Sequence, residues 1–319
     1  MPKKAARTGA EPMDLVQLMA AFGSDEKCRA YLEELRWPEG IRCPRCDSPK
    51  ISRLTARSQF DCDGCRYQFS VTASTIFHDS KLPLAKWFAA ISLMCESRKG
   101  ISANQMKRTL AVSYKTAWYL CHRIRAAMSH TDMEPLTGTV EVDETFIGGK
   151  AKNMHKADRE RKIHGRGGID KIMVLGAMQR EGTVRFRVEQ RRTREALHRF
   201  VAQNVADDAE AISPDEPPGS VGVGDGDTVH DTVNHGAEEW VRGDVHTNTV
   251  EGVWSLFKRS IVGSYHQLSA KHLDAYLDEM AWRFNNRENP YLFRDTLLRL
   301  ISAESLPYQQ LIAAEQQPS

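Results

Sequence analysis

Two cysteine knuckles constrain this chain most. Cys43-Pro-Arg-Cys46 and Cys62-Asp-Gly-Cys65 are separated by 15 residues. Two CxxC pairs at that separation supply four thiolates to one tetrahedral zinc, so the segment between them must fold back until both pairs meet. Four protein ligands close the coordination sphere, which makes the predicted Zn²⁺ structural and not catalytic. A module this small has too thin a core to hold together by apolar burial alone. Arg53, Arg57 and Arg66, interleaved with Phe60, Tyr67 and Phe69, suit contact with phosphates. Cys28, Cys95 and Cys121 are scattered through helix-like segments, where buried free thiols are expected. That usage predicts a reducing, cytoplasmic compartment.

Helical periodicity flanks the module. Residues 14–36 read as two short helices with Asp14 and Ser24 as N-caps, closed by Trp37-Pro38. "KLPLAKWFAAISLMCE" is a third helix. In "GISANQMKRTLAVSYKTAWYLCHRIRAAM", Ser102 and Ser113 cap two more helices joined by the tight turn "LAVS". That is a helix-turn-helix pattern, with the second helix running from about Tyr114 to Met128. Lys107, Arg108, Lys115, Thr116, Arg123 and Arg125 make it a predicted DNA-binding surface. Charge is distributed accordingly. Residues 1–135 carry 21 Lys+Arg against 14 Asp+Glu, a net of +7, whereas the whole chain is only +2. The remaining residues are therefore net −5. A basic front and an acidic back fit nucleic-acid binding followed by metal chemistry.

The acidic part holds three carboxylates at telling positions. In "VEVDETF", Val140 and Val142 alternate with Glu141, Asp143 and Thr145, so the polar residues share one strand face. "KIMVLGAMQ" and "TVRFRVEQ" read as a hairpin, "TREALHRFVAQNV" as a helix capped by Thr193, and "AEAIS" as a strand leading to Asp215. On the helix "NTVEGVWSLFKRS", Asn248, Glu251 and Lys258 share one side, while Val250, Val253, Trp254 and Phe257 form the apolar stripe. Lys258 and Arg259 are placed to grip DNA phosphates. This element order matches an RNase H-like α/β sheet. Asp143, Asp215 and Glu251 are then suited to hold two divalent ions for an in-line phosphoryl displacement. Asp225 and Asp227 compete for the middle position. Asp215 is favoured because 35 residues separate it from Glu251, against 25 for Asp225.

"VDETFIGGK", "HDTVNH", "HTNTVEGVWSLFKRSIVGSYH" and "HLDAYLDEMAWRFNNR" resemble the insertion-sequence transposases that join an amino-terminal zinc ribbon to a DDE catalytic domain, the ISXO-like group. The resemblance runs from about Asp14 to Ser305. It implies an RNase H-like fold, dependence on Mg²⁺ or Mn²⁺, and transposition of an element through its terminal inverted repeats. By motif it makes Asp143 the first carboxylate and Glu251 the third, with Asn248 and Lys258 as accompanying groups. The middle carboxylate departs from the group's pattern: Pro214 replaces a threonine before Asp215, and Pro217 and Pro218 stand where a helix should begin.

The expected organisation is a tail (1–13), a helical lead-in with zinc ribbon (14–78), a helix-turn-helix-like region (79–134), an RNase H-like domain (135–305) and a second tail (306–319). Expected partners are double-stranded DNA, both element ends and target, with at least a dimer on DNA because two ends must be joined. No membrane partner is expected, since no apolar run reaches the ~20 residues of a span. Two other readings of the same residues are a catalytically impaired, transposase-derived DNA-binding protein and a metal-dependent nuclease that does not join.

Overall fold

Side-chain caps start helices where the sequence places them. The computed structural model describes residues 14–129, 134–148, 171–180, 182–190, 193–213, 230–232, 248–266 and 268–313. Asp14 accepts the Gln17 backbone N–H at 2.8 Å to open α1 (Leu15–Ala21). Ser24 caps α2 (Asp25–Arg36) in the same way. Ser102 and Ser113 cap α4 (Ala103–Leu110) and α5 (Tyr114–Ala127). Each such bond satisfies an otherwise orphaned helical N–H and contributes about 1 kcal/mol. Between them, α3 (Leu84–Glu96) is apolar almost all round and buries Trp87, Phe88, Ile91 and Met94.

The chain divides into two compact units, residues 1–129 with 286–319 and residues 130–285. In the first, β1 (Ile51–Leu54), β2 (Gln59–Cys62) and β3 (Gln68–Phe69) form an antiparallel sheet. Trp37, Phe60 and Phe69 pack ring against ring behind it. The helices of this unit gather two more from the far end of the chain. Phe293 on the helix Leu292–Ser302 meets Phe22 and Phe88, and Leu297 and Leu300 are fully buried. This differs from the sequence-based boundary at residue 305, which groups that helix with the expected RNase H-like domain. The reason is its apolar face, which is completed by α2, α3 and α5. Within the stretch expected to be a tail, Tyr308–Ile312 is a short helix whose Tyr308 ring packs on Tyr119.

The second unit is built on a five-stranded sheet in the order β6-β5-β4-β7-β8. Its strands are β4 (Thr139–Ile147), β5 (Ile172–Gln179), β6 (Val184–Glu189), β7 (Glu210–Ser213) and β8 (His230–Thr232). β4 pairs antiparallel with β5 and parallel with β7. Alternation along β4 separates the two faces. Val140 and Val142 join Phe200 of α6 (Arg194–Asn204) on one side. On the other, Val250, Val253, Trp254 and Phe257 of α7 (Asn248–Ser260) pack with Leu273, Leu277 and Met280 of α8 (Leu273–Asn285). The β6 edge is blocked by α8: Asn285 exchanges hydrogen bonds with the Val184 N–H (2.7 Å) and C=O (3.0 Å), and Asp274 accepts the Val188 N–H at 3.2 Å. Side chains thus occupy edge groups that would otherwise template pairing with another chain. α9 (Leu292–Ser302) and α10 (Tyr308–Ile312) complete the element order.

The α4–α5 turn carries one strained residue. Ala111 has φ +51° and ψ +56°, left-handed backbone that a Cβ disfavours by about 1 kcal/mol. Ala111→Gly should raise stability by about 0.5–1 kcal/mol in urea titrations. An unchanged or lowered midpoint would show that the turn is not under this strain.

Candidate active site and zinc site

The candidate active site is assembled by β4 and α7. Asp143 sits in the middle of β4, on the face toward α7, as the alternation predicts. Its Oδ2 accepts the indole N–H of Trp254 at 2.9 Å. The approach requires Gly176, which pairs with Asp143 across β4 and β5. A Cβ at Gly176 would lie 2.5 Å from the Trp254 ring. Glycine in a strand interior therefore marks a close approach here.

A second attachment lies two residues earlier on β4. Glu141 is completely buried, and its Oε2 accepts the backbone N–H groups of Thr249 and Val250, each at 3.0 Å. Its Oε1 accepts the Thr249 hydroxyl at 2.9 Å and Arg180 Nε at 3.0 Å. Glu251 follows on the next residue of α7 and is solvent-exposed. The strand alternation puts Glu141 on the face of Asp143 but assigns it no role. The only available signal was a carboxylate at an inward strand position, which needs a partner.

Asp143 stands where its charge is unfavourable. Burial pushes the Asp143 carboxyl up to about 6, and the negative charges of Glu144 and Glu251 add to the effect against the opposing Glu144 N–H and Trp254 bonds. A carboxylate raised by burial and like charge is relieved by a positive ion. The donor set, all oxygen, suits Mg²⁺ or Mn²⁺. Asp215, with its rivals Asp225 and Asp227, lies outside the described residues, as does the side chain of Asn248.

The zinc site is formed by two equivalent turns. Asp47 and Arg66, each just after a second knuckle cysteine, have φ +56° and +58°. Their N–H groups return to the Cys43 and Cys62 carbonyls at 2.9 and 2.7 Å. This brings Cys43, Cys46, Cys62 and Cys65 together with all four sulfurs within 4.8 Å of one another. The Cys43–Cys65 and Cys46–Cys62 sulfurs are 3.6 Å apart. A tetrahedron of 2.3 Å Zn–S bonds has sulfurs about 3.8 Å apart, so the cluster fits one structural zinc. Burial would raise the Cys62 thiol, but the Cys65 and Gly64 N–H groups and the neighbouring sulfurs outweigh it and bring it to about 7. Cys28 is the contrast: burial pushes its thiol to about 12, as for an inert core cysteine.

Several expected DNA contacts change place. Lys107, Arg108 and Lys115 are exposed, and Thr116 is half-buried beside Ser113. Lys258 and Arg259 are exposed at the end of α7. Arg123 and Arg125, expected at DNA, are instead 4% and 2% exposed. Arg123 donates to the Ile76 and His78 carbonyls and lies over the Trp87 and Tyr119 rings, so its charge serves the fold. Phe60 and Phe69 of the ribbon are core and not a stacking surface, and Arg53 is engaged with Glu33 at 2.9 Å.

Comparison with known proteins agrees with this division. Residues 135–285 match the ISXO2-like transposase domain, and residues 23–68 match the transposase zinc-ribbon domain. The chain is 27% identical over 266 residues to an uncharacterized protein in transposable element ISH50 of Halobacterium salinarum, covering 80% of this chain and 89% of that one. No solved structure matches.

Two outcomes follow from these sites. Stripping zinc with a chelator should unfold residues 40–75, because structural zinc contributes about 10–16 kcal/mol of apparent binding free energy. Hydrogen exchange of β1–β3 should then become fast; retained protection would contradict a structural ion. Asp143→Asn should stabilise the zinc-loaded protein in the absence of other divalent ions. With the folded carboxyl at about 6 against an ordinary 3.8, the gain is absent near pH 3.5, grows through pH 4–6 and reaches about 3 kcal/mol by pH 8. A gain independent of pH in denaturant titrations would contradict the burial of that charge.

Proposed function

We propose that this protein is an insertion-sequence transposase that cuts and joins DNA at its element's terminal inverted repeats, a reading supported by the match of residues 135–285 to the ISXO2-like transposase domain and of residues 23–68 to the transposase zinc-ribbon domain. The observation that carries the reading is the attachment of α7, which bears Glu251, to β4, which bears Asp143, through the Trp254–Asp143 bond and the bonds of Thr249 and Val250 to Glu141. In this reading the second unit is RNase H-like. Asp215 supplies the middle carboxylate; β7, the strand beside β4, ends at Ser213, two residues before it in sequence. Two Mg²⁺ or Mn²⁺ ions at these carboxylates supply the positive charge that stabilises the attacking and leaving oxygens of an in-line displacement.

The chain's own residues then have distinct tasks. Asp143 and Glu251 present carboxylate oxygens to one locus, and Trp254 orients the Asp143 carboxyl through its indole N–H. Asn248 stands at the start of α7 as the accompanying polar group. Lys258 is two helical turns beyond Glu251 on the same side and, with Arg259, holds a DNA phosphate. α4 and α5 act as a helix-turn-helix whose exposed Lys107, Arg108, Lys115 and Thr116 meet the duplex, together with the zinc ribbon. Water opens the phosphodiester at the element end. The freed 3′-hydroxyl then attacks target DNA at the same centre, within a dimer or larger assembly that holds two ends.

The test is incubation with Mn²⁺ and DNA carrying the element ends. Glu251→Gln should lower cleavage more than about 100-fold, beyond the cost of disturbing a residue behind the ligands, while end binding is retained. Asp215→Ala should also abolish cleavage and joining, and Asp225→Ala should not. Retained cleavage in Glu251→Gln would refute the carboxylate assignment. End binding without cleavage by the parent would mark a DNA-binding derivative, and hydrolysis without joined product a nuclease.

A further inference from the structure

Glu141 is a buried charge that the proposed chemistry does not use. A fully buried carboxylate is costly unless hydrogen bonds and opposite charge surround it. Here two backbone N–H groups, a hydroxyl and a guanidinium all point at its two oxygens. The backbone donors belong to the first turn of α7, so Glu141 caps that helix from a strand 108 residues away in sequence. The partial positive charge of the helix start adds to the match.

The position of this cap matters more than its strength. α7 is attached to β4 twice: at Thr249 and Val250 through Glu141, and at Trp254 through Asp143. Glu251 lies between the two attachments. Glu141 and Asp143 are two residues apart, about 6.8 Å of strand. Thr249/Val250 and Trp254 are separated by about 6–7.5 Å of helix. The two spans are of similar length, so both attachments can close together, and each opposes sliding or turning of α7 against β4 near Glu251.

We infer that Glu141 is a positioning residue, setting the height and rotation of Glu251 relative to Asp143. This rests on Glu251 being a metal-binding carboxylate. Glu141→Gln keeps the size but offers one acceptor oxygen in place of two. Its NH₂ must then face a donor, and at least one of the four bonds is lost.

The experiment measures Mn²⁺ affinity by electron paramagnetic resonance in the parent, Glu141→Gln, Thr249→Val and Glu251→Gln, all with zinc bound. Amide exchange and cleavage kinetics are measured in parallel. Glu141→Gln should weaken Mn²⁺ binding and slow cleavage at saturating DNA by about 10–100-fold, the usual cost of disturbing a residue that orients a ligand. Thr249 and Val250 amides should exchange faster, β5 and β6 amides should not, and end-DNA affinity should be unchanged. Thr249→Val removes one of the four bonds and should give a smaller loss in the same direction; it decides the matter if Glu141→Gln fails to fold. Weakened Mn²⁺ binding in Glu251→Gln with parental binding in both Glu141→Gln and Thr249→Val would overturn the positioning role alone. Parental Mn²⁺ binding in Glu251→Gln would overturn the functional reading, and this inference with it.

Discussion

The burial of Glu141 under the first turn of α7 is the constraint on which the candidate site depends. A charge with no exposure must be matched where it stands; the Thr249 and Val250 N–H groups and the Thr249 hydroxyl do so from one helix start, and Arg180 adds its guanidinium. Breaking one partner of such a set is expensive, because the remaining charge stays buried. The helix bearing Glu251 therefore has one seat on the sheet. Hydrophobic packing of Val250, Val253 and Phe257 favours the same face but does not by itself select a rotation. Directional bonds to a carboxylate do.

The same strand shows the usual tension between stability and chemistry. Val140 and Val142 contribute to the core against α6, whereas the alternate positions carry Glu141, Asp143 and Thr145 into the α7 side. Asp143 is held there at an electrostatic cost that a valine would avoid. Gly176 gives up side-chain packing so that Trp254 can reach it. Each departure from an ordinary strand converges on one carboxylate, a pattern expected where function opposes folding.

Much of this is visible in the amino-acid sequence, and the limits have physical reasons. Cap residues and the cysteine spacing act locally, so Ser102, Ser113 and the two knuckles are read directly. The period-two pattern of "VEVDETF" assigns Glu141 and Asp143 to one face because strand geometry permits nothing else. What each carboxylate meets is not local: the donors to Glu141 are 39 and 108–109 residues away. Arg123 and Arg125 mislead for the same reason. A basic helix stretch reads as a solvated face, and only the Ile76 and His78 carbonyls, 45–47 residues back, show that Arg123 is turned inward. Likewise α9 follows α7 and α8 in sequence yet is completed by the ring cluster of Phe22 and Phe88.

The most direct measurement is anomalous diffraction at the manganese edge from crystals of the zinc-loaded protein grown with Mn²⁺. The expected result is a manganese peak about 2.0–2.3 Å from carboxylate oxygens of both Asp143 and Glu251. Glu141 should remain bonded to the first turn of α7 and carry no ion. A peak that engages only one of the two carboxylates, or that lies on Glu141, would contradict the arrangement in which β4 sets α7 to build a shared metal site.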